Sequence, residues 1–137
     1  MFALSITRAR TDNNTFDDTL SYLPTIFVVD DDDAVRNAVS MSLSVAGFSV
    51  KEHASAQSFL GEYSDQPGCL IADVQMPNMS GLELQQELKN NNIEIPIIFI
   101  TGHGDVRMSV HALKAGAIDF IENHLVKINW YRVFVKQ

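Results

Sequence analysis

From Thr25 onward the chain alternates two kinds of hydrophobic pattern. "TIFVV" (25–29) is a short continuous apolar run, and "FSV" (48–50), "CLIA" (69–72), "PIIFI" (96–100) and "AIDFI" (117–121) repeat it. Continuous runs rich in β-branched residues fit strands buried on both faces, as in a parallel sheet. Helical patterns lie between them. Val35, Val39 and Leu43 recur every four residues and close at Gly47, which predicts a helix with a glycine stop. "SAQSFLGEY" predicts a second, shorter helix. In "SGLELQQELKNNN", Ser80 and Glu83 stand at capping-box spacing, Leu82, Leu84 and Leu88 supply apolar contacts, and the asparagine run ends the helix. "DVRMSVHALKAG" predicts a fourth helix, with Asp105 as N-cap, Val106, Val110 and Leu113 along one side, and a stop at Gly116. Five strands alternating with four helices predict a doubly wound α/β sheet, with right-handed crossovers placing helices on both faces.

The ends of the chain read differently. Residues 1–24 are polar without a sustained period, and "TRARTDNNTFDDT" cannot bury enough apolar surface to offset its ordering entropy. A mobile N-terminal extension is expected, with its apolar end, "LSYLP", against a folded domain over residues 25–122. In the tail, residues 123–137, two patterns compete. Val126, Ile128 and Trp130 alternate with Lys127 and Asn129, as in a strand, while Val126, Trp130, Val133 and Phe134 fit one helical face.

Composition narrows the function. A length of 137 residues suits one domain with one core. Seventeen acids against ten bases, a net charge of −7, argue against nucleic-acid binding by this chain, because phosphate contacts need a basic footprint. The apolar runs are far too short for a membrane helix, and the N-terminus lacks a signal peptide's layout, so a cytoplasmic protein is expected. Cys69, the single cysteine, cannot form an internal disulfide, and its apolar setting predicts a core residue rather than a nucleophile.

The candidate chemistry sits at the predicted strand ends, where open α/β sheets form their sites. The first strand ends in Asp30 and Asp31, the third in Asp73, and the fourth in Thr101. If the first and third strands are neighbours, three carboxylates converge. Like charges so close oppose one another's ionisation. A divalent cation removes that conflict, and an all-oxygen donor set selects a hard ion, Mg²⁺ first among them. Asp32 and Asp33 are expected to cap the first helix and face water. His53, His103, His111 and His124 lack metal-ligand spacing, and His103 is expected as a solvent-facing loop residue.

Together, "VVDDDDAVR", "IADVQMPNMSGLEL" and "FITGHGDVRMSVHALKAGAIDFIE" resemble the receiver domain of bacterial two-component response regulators. The likeness is closest to the subfamily whose receivers precede a LuxR-type helix-turn-helix, and it covers residues 26–122. It implies a flavodoxin-like (CheY-like) sheet in the order 2-1-3-4-5 and a transcription-regulating phosphoprotein that is not itself an enzyme. It implies that Asp73 accepts a phosphoryl group from a sensor histidine kinase. Asp30, Asp31, Asp73 and the backbone carbonyl of Gln75 would hold Mg²⁺. Thr101 and Phe120 would be the switch pair, and Met76, Pro77 and Gly81 the loop that shapes the site.

The resemblance breaks at Asn123 and His124, where the family has Lys-Pro followed by a fifth helix. The lysine's cation would pair with the acceptor and then with the phosphoryl oxygens. Its charge-assisted hydrogen bond is worth roughly 1.5–3 kcal/mol. Retained Mg²⁺ binding with impaired phosphorylation is therefore expected. A phosphorylation-independent pseudo-receiver, an interaction module, is the alternative. An aspartate-nucleophile phosphatase is a lesser one, because only the degenerate run Asp30–Asp33 matches its Asp-x-Asp motif. The codons GAA AAA CCA TTT for Glu-Lys-Pro-Phe, short of one A, read Glu-Asn-His and then Leu or Phe, which matches the run Glu122, Asn123, His124, Leu125. A single-base loss is thus one reading of the tail and genuine divergence the other; the coding DNA separates them. Either way, the apolar groove between the first helix and the fifth strand needs covering. The tail is expected to fill it, add a strand, or mediate self-association through the fifth strand, itself an open sheet edge.

Overall fold

The structure, a computed structural model, describes residues 24–102, 106–122, Trp130 and Val133. Five strands form one parallel sheet: β1 (Thr25–Val29), β2 (Ser49–His53), β3 (Gly68–Asp73), β4 (Ile97–Thr101) and β5 (Asp119–Glu122), in the order β2-β1-β3-β4-β5. Between them run α1 (Asp33–Val45), α2 (Ala56–Glu62), α3 (Gly81–Asn90) and α4 (Val106–Lys114). This is the flavodoxin-like architecture and strand order that the sequence implies. The expectations for residues 1–23, for Asp105 as a cap and for most of the tail lie outside the described residues.

Local chemistry sets the helix ends. Asp32 caps α1, its side chain accepting from the N–H groups of Ala34 and Val35. Gly47 ends that helix at φ +98°, a left-handed conformation that glycine adopts without strain. The predicted capping box on α3 is complete. Ser80 accepts from the Glu83 N–H, and Glu83 accepts from the Ser80 N–H. Asn91 and Asn92 close α3, Asn92 at φ +58°.

Two elements differ from the pattern reading. The second strand is not the apolar "FSV" but Ser49–His53, with most of its side chains exposed. It lies at the sheet edge with β1 as its one partner, so it needs no two-faced burial, and Lys51 and Glu52 charge an otherwise open edge. In α4, the apolar side formed by Val110 and Leu113 points outward, the two residues being 44% and 45% exposed. Met108 and the fully buried Ala112 face the core instead. Ala112 is small, and its carbonyl accepts a 3.2 Å hydrogen bond from Nε2 of the buried Gln85 on α3, which draws that side of α4 inward.

Alternate residues of the central strands feed two cores. Phe27, Val29, Leu70, Ala72 and Phe99 pack with Phe59, Leu84, Leu88 and Ala112 from α2, α3 and α4. Ile26, Val28, Cys69, Ile71, Ile98 and Ile100 pack with Val39 and Leu43 of α1. Cys69 is fully buried, as expected, and burial pushes its thiol pKa up. A five-stranded sheet is roughly 19 Å wide at about 4.8 Å per strand, whereas one helix covers about 10 Å. Hence α1 alone leaves part of its face bare.

Trp130 fills that gap. It is 2% exposed within the α1-side cluster, and its indole N–H donates to Ser42 Oγ of α1 at 2.7 Å. Val133 packs against the same cluster, and both residues have helical backbone. Of the three expected fates of the tail, groove filling is the one these two positions display. Trp130→Ala is expected to cost roughly 3–5 kcal/mol, the usual penalty for truncating a buried large aromatic. Trp130→Phe keeps the ring but loses the Ser42 bond, and is expected to cost about 1 kcal/mol beyond any repacking. Urea unfolding measures both; an unchanged midpoint for Trp130→Ala would show that the indole contributes nothing to the core.

Candidate metal centre

The site is a product of strand register. In the β1–β3 pairing Val29 stands opposite Ala72, so the next residues, Asp30 and Asp73, emerge side by side at the C-terminal rim. Asp31 follows Asp30. One carboxylate oxygen from each of Asp30, Asp31 and Asp73 lies within 4.8 Å of the others. The three acids singled out from the sequence therefore come together. Asp32 and Asp33 do not join them: Asp32 caps α1, and the mostly exposed Asp33 pairs with Arg36.

The backbone around the acids is well tied. The Asp30 N–H donates to the His53 carbonyl at 3.1 Å, and Asp30 Oδ1 accepts from the Asp32 N–H at 2.9 Å. Across the cleft, Asp73 Oδ1 accepts from the Gln75 N–H at 3.1 Å, bringing the Gln75 backbone to the Asp73 carboxylate. Val74 donates to Ile100 and Gly81 donates back to Val74, closing the loop after β3. A Cβ on Gly81 would lie 2.3 Å from the Asp73 carbonyl oxygen and 2.9 Å from the Phe99 ring, so only glycine fits beneath Asp73.

Thr101 is buried at the end of β4, the strand beside β3, where Asp73 pairs with Ile100. Phe120 lies deeper. It pairs with Phe99 two residues below the rim, half-buried, with ring centroids 6.3 Å apart. Thr101 thus shares the rim with the acids, and Phe120 stands behind it. Asn123, His103 and His124 lie outside the described residues.

The sequence reading missed two residues. His53 is a core residue whose Nδ1 lies 3.0 Å from Ser58 Oγ and whose ring packs on Phe27 and Phe59; burial holds its pKa below the usual value. The other is Arg36, whose Nη1 donates to the Asp30 carbonyl at 2.7 Å. Its spacing of three from Asp33 is a helical ion-pair signal, but nothing in the sequence points the side chain at Asp30.

Electrostatics make the cluster hungry for positive charge. Burial, reinforced by Asp73, Asp31 and Asp32, pushes Asp30 up to about 7, against the pull of the Asp32 N–H. Asp73 is raised too, first by burial and then by Asp31 and Asp32, with the Gln75 N–H opposing. An all-oxygen trio with suppressed ionisation, open on the Asp31 side, suits a hard divalent cation that keeps part of its water shell.

Comparison with known proteins gives this geometry a context. The family profile of the response regulator receiver domain matches residues 26–127. Transcriptional regulatory protein FixJ of Rhizobium meliloti is 50% identical over 99 residues, 72% of this chain and 48% of that protein. Response regulator protein TodT of Pseudomonas putida is 51% identical over 96 residues, covering 69% of this chain and 42% of its own length. Nodulation protein W of Bradyrhizobium diazoefficiens is 45% identical over 97 residues, 70% of this chain and 43% of that protein. The chain thus spans about half the length of the curated relatives it matches. Among solved structures, FixJ-N superposes with a TM-score of 0.68 at 50% identity, covering 72% of this chain and 80% of that one. The response regulator StyR gives 0.74 at 43% identity, covering 82% and 58%. No described helix is long and apolar enough to cross a membrane. A matched profile over most of the chain, relatives at half identity and an acidic rim at the sheet's C-terminal end agree: this chain belongs to the response regulator receiver domain family.

Proposed function

We propose that this receiver accepts a phosphoryl group on Asp73 from a histidine kinase, with Mg²⁺ held by Asp30, Asp31, Asp73 and the Gln75 carbonyl, and that Asn123 weakens the phosphorylated state. The convergence of three carboxylates at one rim is the observation that carries the reading. An Asp73 oxygen attacks the phosphorus of a phosphohistidine. The O–P bond of an acyl phosphate forms as the P–N bond breaks, and its electron pair returns to the imidazole. Bound Mg²⁺ supplies charge neutralisation at the transferring phosphoryl oxygens. The chain's own part is orientation. The Gln75 N–H fixes the plane of the Asp73 carboxylate, Gly81 leaves its backbone room, and Thr101 at the neighbouring strand end offers a hydroxyl to the new phosphoryl group. Phe120 then takes the space behind Thr101.

Asn123 favours a second reading, the pseudo-receiver that signals without phosphorylation, because it puts a short neutral side chain where the family has a cation. One experiment separates the two. The wild-type chain is expected to bind Mg²⁺ and to be labelled slowly by acetyl phosphate at Asp73, with no label on Asp73→Asn. Asn123→Lys restores the cation, and is expected to raise the labelled fraction at equilibrium roughly ten- to a hundredfold while leaving Mg²⁺ affinity nearly unchanged. Absence of label in both wild type and Asn123→Lys favours the pseudo-receiver. Acid-stable turnover of a phosphoester, rather than a labile phospho-aspartate, would point to a phosphatase.

The raised Asp30 pKa gives a further expectation. Without metal, native Asp30 keeps its proton to about pH 7, whereas the unfolded chain releases it near 3.8. The native state binds more protons across that window, so this contribution to stability falls as pH rises through it. The lowered His53 pKa acts with the opposite sign below its ordinary value of 6.5, so Asp30 is best read as the difference between wild type and Asp30→Asn. In EDTA at pH 8 the variant should melt several degrees higher, since about 1 kcal/mol moves such a midpoint by roughly 4–8 °C. The gain should shrink toward pH 4 and vanish in saturating Mg²⁺. A loss of Tm at pH 8, or a gain independent of pH, would contradict a strained Asp30.

A further inference from the structure

We infer that Arg36 is a positioning residue for the ion site: its guanidinium holds the peptide between Asp30 and Asp31 and so aims the Asp31 carboxylate. The inference rests on the reading of Asp30, Asp31 and Asp73 as a Mg²⁺ site. Arg36 lies in the first turn of α1, and its side chain is 14% exposed, an unusual depth for a permanent charge. Each face of the guanidinium fork has a partner. Nη1 donates to the Asp30 carbonyl at 2.7 Å, Nη2 pairs with Asp33, and Nε lies 3.4 Å from Glu52 of β2.

The Asp30 carbonyl is the first beyond the β1 ladder, which ends with Val29 opposite His53 and Ala72. Arg36 provides it with a donor where the sheet stops. The same peptide leads into Asp31, whose side chain is exposed and so has no packing to choose its rotamer. Its direction depends on the backbone of the turn. That turn is pinned at three points: Asp30 N–H to His53, Asp32 N–H to Asp30 Oδ1, and the Asp30 carbonyl to Arg36. The third comes from a side chain outside the turn, and its planar fork, tied also to Asp33 on its own helix and to Glu52 on β2, makes it rigid. None of the three contacts made by Arg36 itself uses a carboxylate of Asp30, Asp31 or Asp73, so the guanidinium holds the site without occupying it.

Charge and position predict opposite signs, which makes the inference testable. Through-space electrostatics alone says that deleting a cation near a cation site should tighten Mg²⁺ binding. Positioning says that it should weaken. The experiment is calorimetric titration of the full chain with Mg²⁺ at fixed ionic strength, comparing wild type with Arg36→Met and Arg36→Lys. Arg36→Met keeps the stem and removes the charge; Arg36→Lys keeps the charge and loses the fork. Both are expected to bind Mg²⁺ about tenfold more weakly, the lower end of what loss of an outer-shell partner does to metal affinity. Tighter or unchanged binding by Arg36→Met, or unchanged binding by Arg36→Lys, overturns the positioning role. If Arg36→Met gives no cooperative urea transition, Arg36→Lys decides alone. Wild-type protein that takes up no Mg²⁺ overturns the ion-site reading together with this one, whereas wild-type binding matched by the variants overturns this one only.

Discussion

The parallel register between β1 and β3 is the constraint on which the rest of the molecule depends. It sets Val29 against Ala72 and so delivers Asp30 and Asp73 to the same height at one rim. A slip of one residue would send alternate side chains to the wrong face and separate the carboxylates. The register is protected by burial on both faces. Ile26, Val28, Cys69 and Ile71 feed one core, while Phe27, Val29, Leu70 and Ala72 feed the other. Apolar packing therefore holds in place a charge cluster that, left to itself, would fly apart.

That same two-faced burial creates the demand met by Trp130. Three helices cover one face of the sheet, but α1 is the described helix on the other. An indole is well suited to finishing such a face, because its apolar body closes the gap while its single N–H needs a partner and finds Ser42. The competing strand and helix patterns of the tail resolve, at Trp130 and Val133, in favour of the helical one. Periodicity could not decide this, because the deciding term is the bare area left beside α1, a property of the assembled sheet and not of the tail.

The layout of the fold was legible because each strand and each stop carries its own local signal. Gly47, the Ser80–Glu83 box and the asparagines after α3 all act as their residue types predict. The acidic trio was legible for a related reason: strand ends in an α/β sheet share a rim, so position along the strand fixes position in space. What escaped was tertiary. The edge strand runs on into Lys51 and Glu52 because one neighbour suffices at an edge. The outward Val110 and Leu113 reflect the Gln85–Ala112 bond between two helices distant in sequence. Arg36 was invisible as a site residue because its partner is a backbone carbonyl, and a carbonyl has no residue signature.

These pieces meet in α1. Its first turn is fastened to the acidic rim by the Asp32 cap and by Arg36, and its later turns carry Leu43 in the core and Ser42 against Trp130. Six residues separate Arg36 from Ser42, roughly 9 Å along a helix axis. One short rigid element therefore touches both the part of the chain where the receiver pattern is intact and the part where it breaks. The acids and their backbone ties all precede Asn123, so the convergence of the three carboxylates is set by residues upstream of the break. On the α1 face the covering is done by Trp130, which lies beyond Asn123 in the chain. The acidic rim and the covering of the α1 face are thus separable in their physics: the first depends on charge at the strand ends, the second on apolar area behind them.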